Sequence, residues 1–170
     1  MTIYKTPVGD VLYALNSAAS DAIVGVLGGF FSDDQIEEIM YNCVQEPVKV
    51  YHARYGMCNT NVNLSLDDAM AIVEKIARLG GKTLPFAMLD SSLPDGSRVN
   101  IVMPPVSVNG PAITIRRFRK KIMTACDFIN SGTITVDACA FLWCCMDGLS
   151  YKPANILFAG GTSCGKTTLL

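Results

Sequence analysis

The sequence predicts a mixed α+β domain followed by the opening of a nucleotide-binding α/β domain. Three observations carry that expectation. Within the first 118 residues the spacing of apolar positions switches between a helical and a strand-like period. Five cations then crowd into the six residues Arg116-Arg117-Phe118-Arg119-Lys120-Lys121, and the texture of the chain changes after them. The final stretch, GGTSCGKTTLL, contains a phosphate-loop pattern.

Taken in order, residues 10–31 read as helical, against the resistance of Gly25, Gly28 and Gly29. Ser32-Asp33-Asp34-Gln35 has the form of a capping box, and Ile36, Ile39 and Met40 share one face of the short helix it predicts, which Asn42 ends. Residues 47–55 (PVKVYHARY) alternate loosely and predict a strand. Ser65 to Asp68 opens a helix with Ala69, Ile72, Val73, Ile76 and Leu79 at helical spacing, closed by Gly80-Gly81. Three short strand-like runs follow, over 87–93, 98–103 and 112–118. Pro94-Asp95-Gly96 turns between the first two, and Pro104-Pro105 with Asn109-Gly110-Pro111 punctuates the gap before the third. The expected organisation is an α+β domain over 1–118, a basic linker over 119–123 and an incomplete second domain over 124–170. In the second, helices near 125–130 and over 136–149, the latter capped by Thr135, precede a buried strand, 155–159 (NILFA), that feeds Gly160.

Composition narrows the function classes. Half of the 170 residues are apolar and only 17% are charged, which argues for a packed core and against disorder. The net charge of −1 gives the chain as a whole no bias toward nucleic acid or anionic lipid. The basic run could attract either, but one aromatic and no repeat make nucleic acid an unlikely partner. The start has no signal-peptide pattern, and no apolar run reaches the ~18–20 residues of a membrane span. The expectation is a soluble cytoplasmic protein. Seven cysteines with no CxxC pair, and one histidine, fit neither a zinc site nor a disulfide framework. Apart from Cys164, in the phosphate loop, the cysteines are expected to be small buried hydrophobes. His52 reads as a structural histidine, and Trp143, Cys144, Cys145 and Met146 as a packing face. The acidic pairs Asp33-Asp34, Glu37-Glu38 and Asp67-Asp68 suit helix N-termini.

Gly160-x-x-x-x-Gly165-Lys166-Thr167 fits the Walker A pattern, and the chemistry requires each part. Glycines let backbone N–H groups turn inward around phosphate oxygens. Lys166 supplies a cation to the β- and γ-phosphates and is the candidate catalytic residue; Thr167 offers its hydroxyl to Mg²⁺. The nucleotide-binding candidates are thus Gly160, Gly161, Thr162, Ser163, Cys164, Gly165, Lys166, Thr167 and Thr168.

LPDGSRVNIVMPP (93–105), GPAITIRRF (110–118), SGTIT (131–135) and NILFAGGTSCGKTTLL (155–170) occur in this order. Together they resemble the type II/type IV secretion ATPase superfamily, closest to its tight-adherence (CpaF-like) and archaeal pilus branches; FFSDDQIEEIMYN (31–42) resembles a short helix carried earlier in those proteins. The resemblance implies an N-terminal α+β domain, a short linker and a RecA-like motor domain, assembled as hexamers, with ATP and Mg²⁺ between the domains. It implies a cytoplasmic motor, peripheral at the membrane, that works with an inner-membrane platform protein in pilus assembly or secretion. Arginines of the N-terminal domain reach the phosphates in that family, and by position these are Arg98, Arg116 and Arg117. The family's usual loop reads GGTGSGKTT; here Ser163 and Cys164 replace its Gly and Ser. The family's Walker B, catalytic glutamate, and Asp and His boxes lie beyond residue 170. The reading is therefore of a chain cut at its Walker A loop, which by itself does not hydrolyse ATP at a useful rate. Two rivals stand beside it: a non-catalytic docking module of such a machine, and a piece of another P-loop enzyme.

Overall fold

A computed structural model of the chain describes residues 2–5, 11–15, 21–118, 123–161 and 164–169, leaving aside the side chains of residues 2–5 and of Thr167. The chain divides into two compact units, Met1–Arg119 and Lys120–Leu170, and each is described by itself. The expected linker 119–123 lies, except for Met123, outside the described residues.

The first unit is built on an eight-stranded sheet: β1 (Thr2–Lys5), β2 (Val11–Ala14), β3 (Ile36–Tyr41), β4 (Lys49–His52), β5 (Gly56–Thr60), β6 (Met88–Ser92), β7 (Arg98–Val102) and β8 (Ala112–Arg116). Their order across the sheet is β1-β2-β5-β4-β3-β8-β7-β6. Among the described residues only the β2–β5 pair is parallel; the others are antiparallel. Helix α1 (Leu66–Leu79) starts where the Ser65 hydroxyl accepts the Asp68 N–H, a cap worth ~1 kcal/mol. Its buried residues Ala69, Ile72, Val73, Ile76 and Ala77 join one core with the inward residues of the strands, among them Ile39, Val50, Val99, Ile101, Ile113 and Ile115. The strands alternate cleanly, so the other sheet face carries Glu38, Asp90, Arg98, Asn100, Thr114 and Arg116, all exposed or half-buried.

The N-terminal third departs from the sequence expectation. Residues 11–14 form a strand, and the helical part of 10–31 is a 3₁₀ helix, Val26–Ser32, that buries Leu27, Gly29 and Phe30. Gly25 precedes it at φ +56°, a conformation ordinary residues rarely adopt. The helix expected after Ser32 is strand β3, paired on both sides. Asp33 does receive an N–H, from Gln35 at 2.9 Å, but it makes a turn into a strand. The register of β3 on β4 slips between Ile36 and Glu38. Such a bulge adds one residue to the strand, so the buried residues fall at Ile36, Ile39 and Tyr41. An i, i+3 spacing that looks helical is thus the trace of the bulge. Strand β5 has little strand propensity in its sequence, GMCNT. It is set by a three-residue hairpin turn from His52 to Gly56, with Gly56 at φ +71°.

His52 is 1% exposed. Its Nδ1 accepts the Arg54 N–H at 3.1 Å, and its Nε2 lies 3.7 Å from the Asp33 carboxylate. The same carboxylate accepts the Tyr13 hydroxyl at 3.0 Å. Burial, and next the Asp33 carboxylate, push the Tyr13 hydroxyl well above the ordinary phenol range.

The second unit contains α2 (Ala125–Asn130), α3 (Val136–Asp147) and a final turn, α4 (Lys166–Leu169). Thr124 and Asp127 form a complete capping box on α2, and Thr135 caps α3. Gly148 ends α3 at φ +72°, where a Cβ would meet Pro153 N at 2.4 Å. The strand expected over 155–159 is absent: these residues carry no ladder, and Leu157 is 90% exposed. A buried parallel strand needs neighbours on its edges and layers on its faces, and among the described residues of this unit no strand is there to pair with it. The cysteine expectation holds in the first unit, where Cys43 and Cys58 are buried. It fails in the second, where Cys126 and Cys144 are exposed and Cys139 and Cys145 half-exposed; Cys164, the expected exception, is exposed. Among the described residues no helix is long and apolar enough to cross a membrane.

Candidate functional site

The predicted site residues fall in three places. Arg98 and Arg116 lie side by side on the open face of the sheet. They are direct cross-strand partners on β7 and β8, and Glu38 of β3 is the partner of Arg116 on its other side. The placement is fixed locally. Asp95 accepts the N–H and hydroxyl of Ser97 at 3.0 and 2.7 Å, closing the β6–β7 turn just before Arg98. Ser97 is fully buried, and its Oγ accepts the Phe118 N–H at 3.1 Å. Gly96, at φ +86°, lets the turn pass close to the Phe118 ring. The ends of β7 and β8, and with them both arginines, are therefore tied together.

These arginines line a cavity of about 470 Å³ with Glu38, Ser92, Asn100 and Thr114 on its walls. Asp90 also borders it, its carboxylate accepting the Asn100 amide at 2.8 Å. Among the described residues, neither Arg98, Arg116 nor Glu38 has a side-chain hydrogen bond or ion pair. Like charges directly opposite one another destabilise a sheet, and two free guanidiniums offer several N–H donors to one oxyanion. The chemistry available is recognition of a phosphate-like group.

Arg117 points the other way. Its side chain is 8% exposed, and its guanidinium donates to the carbonyls of Phe30 at 3.3 Å, Phe31 at 3.0 Å, Ile36 at 3.4 Å and Asp33. It also stacks on the Phe31 ring at 5.1 Å. The structure thus separates two neighbours that the sequence offers as equivalents. One faces the cavity; the other locks the 3₁₀ helix and the turn before β3 onto β8. The period of the strand carries the signal that distinguishes them, since Arg116 continues the outward series Ala112, Thr114.

The phosphate loop lies in the second unit. Thr162 and Ser163 are outside the described residues, as is the side chain of Thr167. Gly165 takes φ +84°, reserved in practice for glycine, and leads into α4. Thr168 donates its N–H to the Gly165 carbonyl at 3.0 Å and is exposed. The Lys166 ammonium is engaged by the loop itself, donating to the carbonyls of Gly160, at 2.9 Å, and Gly161, with the Cys164 sulfur at 3.6 Å. Any ligand must compete with those carbonyls for the ammonium. The loop's cation and donors nonetheless suit Mg²⁺-bound phosphate chemically, and the recess in the first unit suits a phosphate group.

No family model matches the chain. An uncharacterized protein of Methanocaldococcus jannaschii is 45% identical over 86% of this chain and 21% of its own length. The conjugal transfer protein TrbB of Rhizobium radiobacter is 35% identical over 44% of this chain and 21% of its own length. The chain thus spans about a fifth of the length of these relatives. Among solved structures, the VirB11 ATPase of the Brucella suis type IV secretion system, in complex with sulphate, superposes with a TM-score of 0.54 at 23% identity. That match covers 84% of this chain and 48% of VirB11. The α+β fold described above is therefore shared with part of a type IV secretion ATPase, and the sequence is similar to TrbB.

Proposed function

We propose that this chain is the N-terminal part of an ATP-driven motor of the type II/type IV secretion class, of the tight-adherence or archaeal pilus kind. Residues 1–118 form its nucleotide-facing α+β domain, 119–123 its linker and 124–170 part of a RecA-like domain that includes the Walker A loop. Gly160 to Thr168 cradle the phosphates of ATP, Lys166 neutralises the β- and γ-oxygens, and the Thr167 hydroxyl meets Mg²⁺. Arg98 and Arg116 supply guanidinium groups to the phosphates, while Arg117 holds the strand that carries Arg116. The observation that carries this reading is the Arg98–Arg116 pair, two adjacent and unpaired cations in a fold shared with part of a secretion ATPase. In the complete motor the chain assembles as a homo-hexamer against an inner-membrane platform protein, at the cytoplasmic face of the membrane, and drives pilus assembly or secretion.

Binding of a fluorescent ATP analogue with Mg²⁺ to the 170-residue chain tests this. Lys166→Ala is expected to abolish binding. Arg98→Ala and Arg116→Ala are each expected to weaken it about tenfold, the scale of one charge-assisted contact. Binding that ignores Lys166 sinks the nucleotide assignment. A second reading, a non-catalytic docking module, is favoured by one observation: α3 exposes Phe141, Trp143 and Met146. It predicts capture of the platform protein by the Lys166→Ala chain as well as by the wild type.

A further inference from the structure

The cavity beside the arginines also holds a carboxylate that phosphate binding does not explain. Glu38 is half-buried, faces the cavity from β3 and stands directly across from Arg116. It sits in one cross-strand row, Tyr51–Glu38–Arg116–Arg98–Ser92, spanning five strands. The neighbouring row, Lys49–Met40–Thr114–Asn100–Asp90, carries two charges, each already held: Lys49 by Glu46 at 2.7 Å and Asp90 by Asn100 at 2.8 Å. An empty cavity with Arg98, Arg116, Glu38 and Asp90 is formally neutral. Its pull on an anion then comes from directed guanidinium hydrogen bonds rather than from a net positive field.

We propose that Glu38 is the built-in counter-ion of this recess. When the recess is empty, its carboxylate balances Arg116 across the strand pair. When a phosphate group occupies the recess, the same carboxylate repels it and weakens the grip of the arginines. The anion therefore exchanges quickly instead of being trapped, and the penalty grows with the charge it carries. This rests on the reading of Arg98 and Arg116 as phosphate-binding. Glu38 is a tuning residue that acts on the ligand through charge and contributes no bond to it.

The test is an ¹⁵N NMR titration of the full chain with inorganic tripolyphosphate at low salt, following backbone amides of β3, β7 and β8. These report the recess locally and separately from the amides of 160–169. Wild-type chain is expected to show weak, saturable shifts in fast exchange. Glu38→Gln, which keeps the shape and removes the charge, is expected to bind about tenfold tighter, the scale of one unit charge a few ångströms away near a surface. That gain should shrink as salt is added, and it should be smaller for sulfate than for tripolyphosphate. Arg98→Ala/Arg116→Ala should remove the shifts at these amides in both backgrounds. If the double arginine variant leaves the shifts unchanged, the phosphate reading of the recess is wrong. If the arginines matter but Glu38→Gln binds no tighter, or weaker, the counter-ion role is wrong and Glu38 instead orients Arg116.

Discussion

Two helices of similar length behave in opposite ways. Helix α1 buries Ala69, Ile72, Val73, Ile76 and Ala77 and turns Asp67, Asp68, Glu74 and Arg78 to solvent. Helix α3 buries nothing completely: Phe141 is 68% exposed, Trp143 71% and Met146 68%. The cause is visible in the sequences. Helix α1, LDDAMAIVEKIARL, has one apolar stripe, which a single sheet face satisfies. Helix α3, VDACAFLWCCMD, is apolar around most of its circumference, the pattern of a helix covered on several sides. Within its own unit it meets α2 along a groove lined by Ile129, Val136, Ala140 and Trp143. One helix carries its stability in this chain's own core, whereas the other presents a surface to be covered.

The comparison is sharpest under truncation of side chains. Ile76→Ala removes a fully buried group from the junction of α1 and the sheet and is expected to cost about 3 kcal/mol. Phe141→Ala and Met146→Ala, on α3, are expected to change stability by less than about 0.5 kcal/mol. Urea unfolding followed by circular dichroism measures all three. A large loss from Phe141→Ala would show that α3 is packed after all, and would erase the contrast.

Arg117 gives the next largest effect. Its guanidinium satisfies carbonyls of Phe30, Phe31, Asp33 and Ile36 within the first unit. Arg117→Ala strands those acceptors and is expected to cost about 2–3 kcal/mol, with little recovery in Arg117→Lys, which lacks the planar fork. Arg116→Ala, one residue away on the open face, should be close to neutral for stability. Equal losses at both positions would contradict the division of labour between them.

The parts of the first unit that were legible, α1 and strands β4, β6, β7 and β8, have local signals. Ser65 before an apolar period of 3.6 and Pro-Asp-Gly between two alternating runs each specify their element without help from elsewhere. What was not legible depends on partners distant in sequence. The bulge at Ile36/Glu38 disguised a strand as a helix, and β5 exists because β4 and β2 flank it. The strand expected over 155–159 failed for the complementary reason: its sequence has the right residues, but a strand is a relation between segments. In the candidate site, only the resemblance singles out the arginines, as expected phosphate ligands. That Arg117 turns inward while Arg116 turns outward follows from strand alternation. Glu38 drew attention only as a presumed helix N-terminal acid, because its pairing with Arg116 is a matter of register.

Separating the units offers a milder test. A chain ending at Lys121 is expected to keep its fold, with a free energy of unfolding within about 0.5 kcal/mol of the first transition of the full chain. It is also expected to be more soluble, because it lacks the exposed apolar residues of α3. Light scattering across a concentration series should show the 170-residue chain self-associating and the shorter one monomeric. Unfolding of the shorter chain would place residues 124–150 within the first core.

The last expected effect concerns alkaline pH, and it too should belong to the first unit alone. Burial raises the pKa of Tyr13, Tyr41 and Cys58, with the Asp33 carboxylate adding to the effect at Tyr13. Each is an acid that is neutral when protonated, so a raised value in the folded state means the fold favours the proton. The stability this contributes is fully present below the unfolded values, ~8.5 for a thiol and ~10 for a phenol, and is lost progressively as pH rises above them. The unfolding midpoint in urea should therefore fall from about pH 8.5 upward. Tyr13→Phe removes the hydroxyl that donates to Asp33, so it is expected to cost about 1 kcal/mol at pH 7. It should also flatten the decline above pH 10, because there is no longer a proton at that position for the fold to retain. If the variant instead runs parallel to the wild type across the alkaline range, the proton linked to unfolding belongs to Tyr41 or Cys58, and the contact between Tyr13 and Asp33 does not set the alkaline limit of this unit.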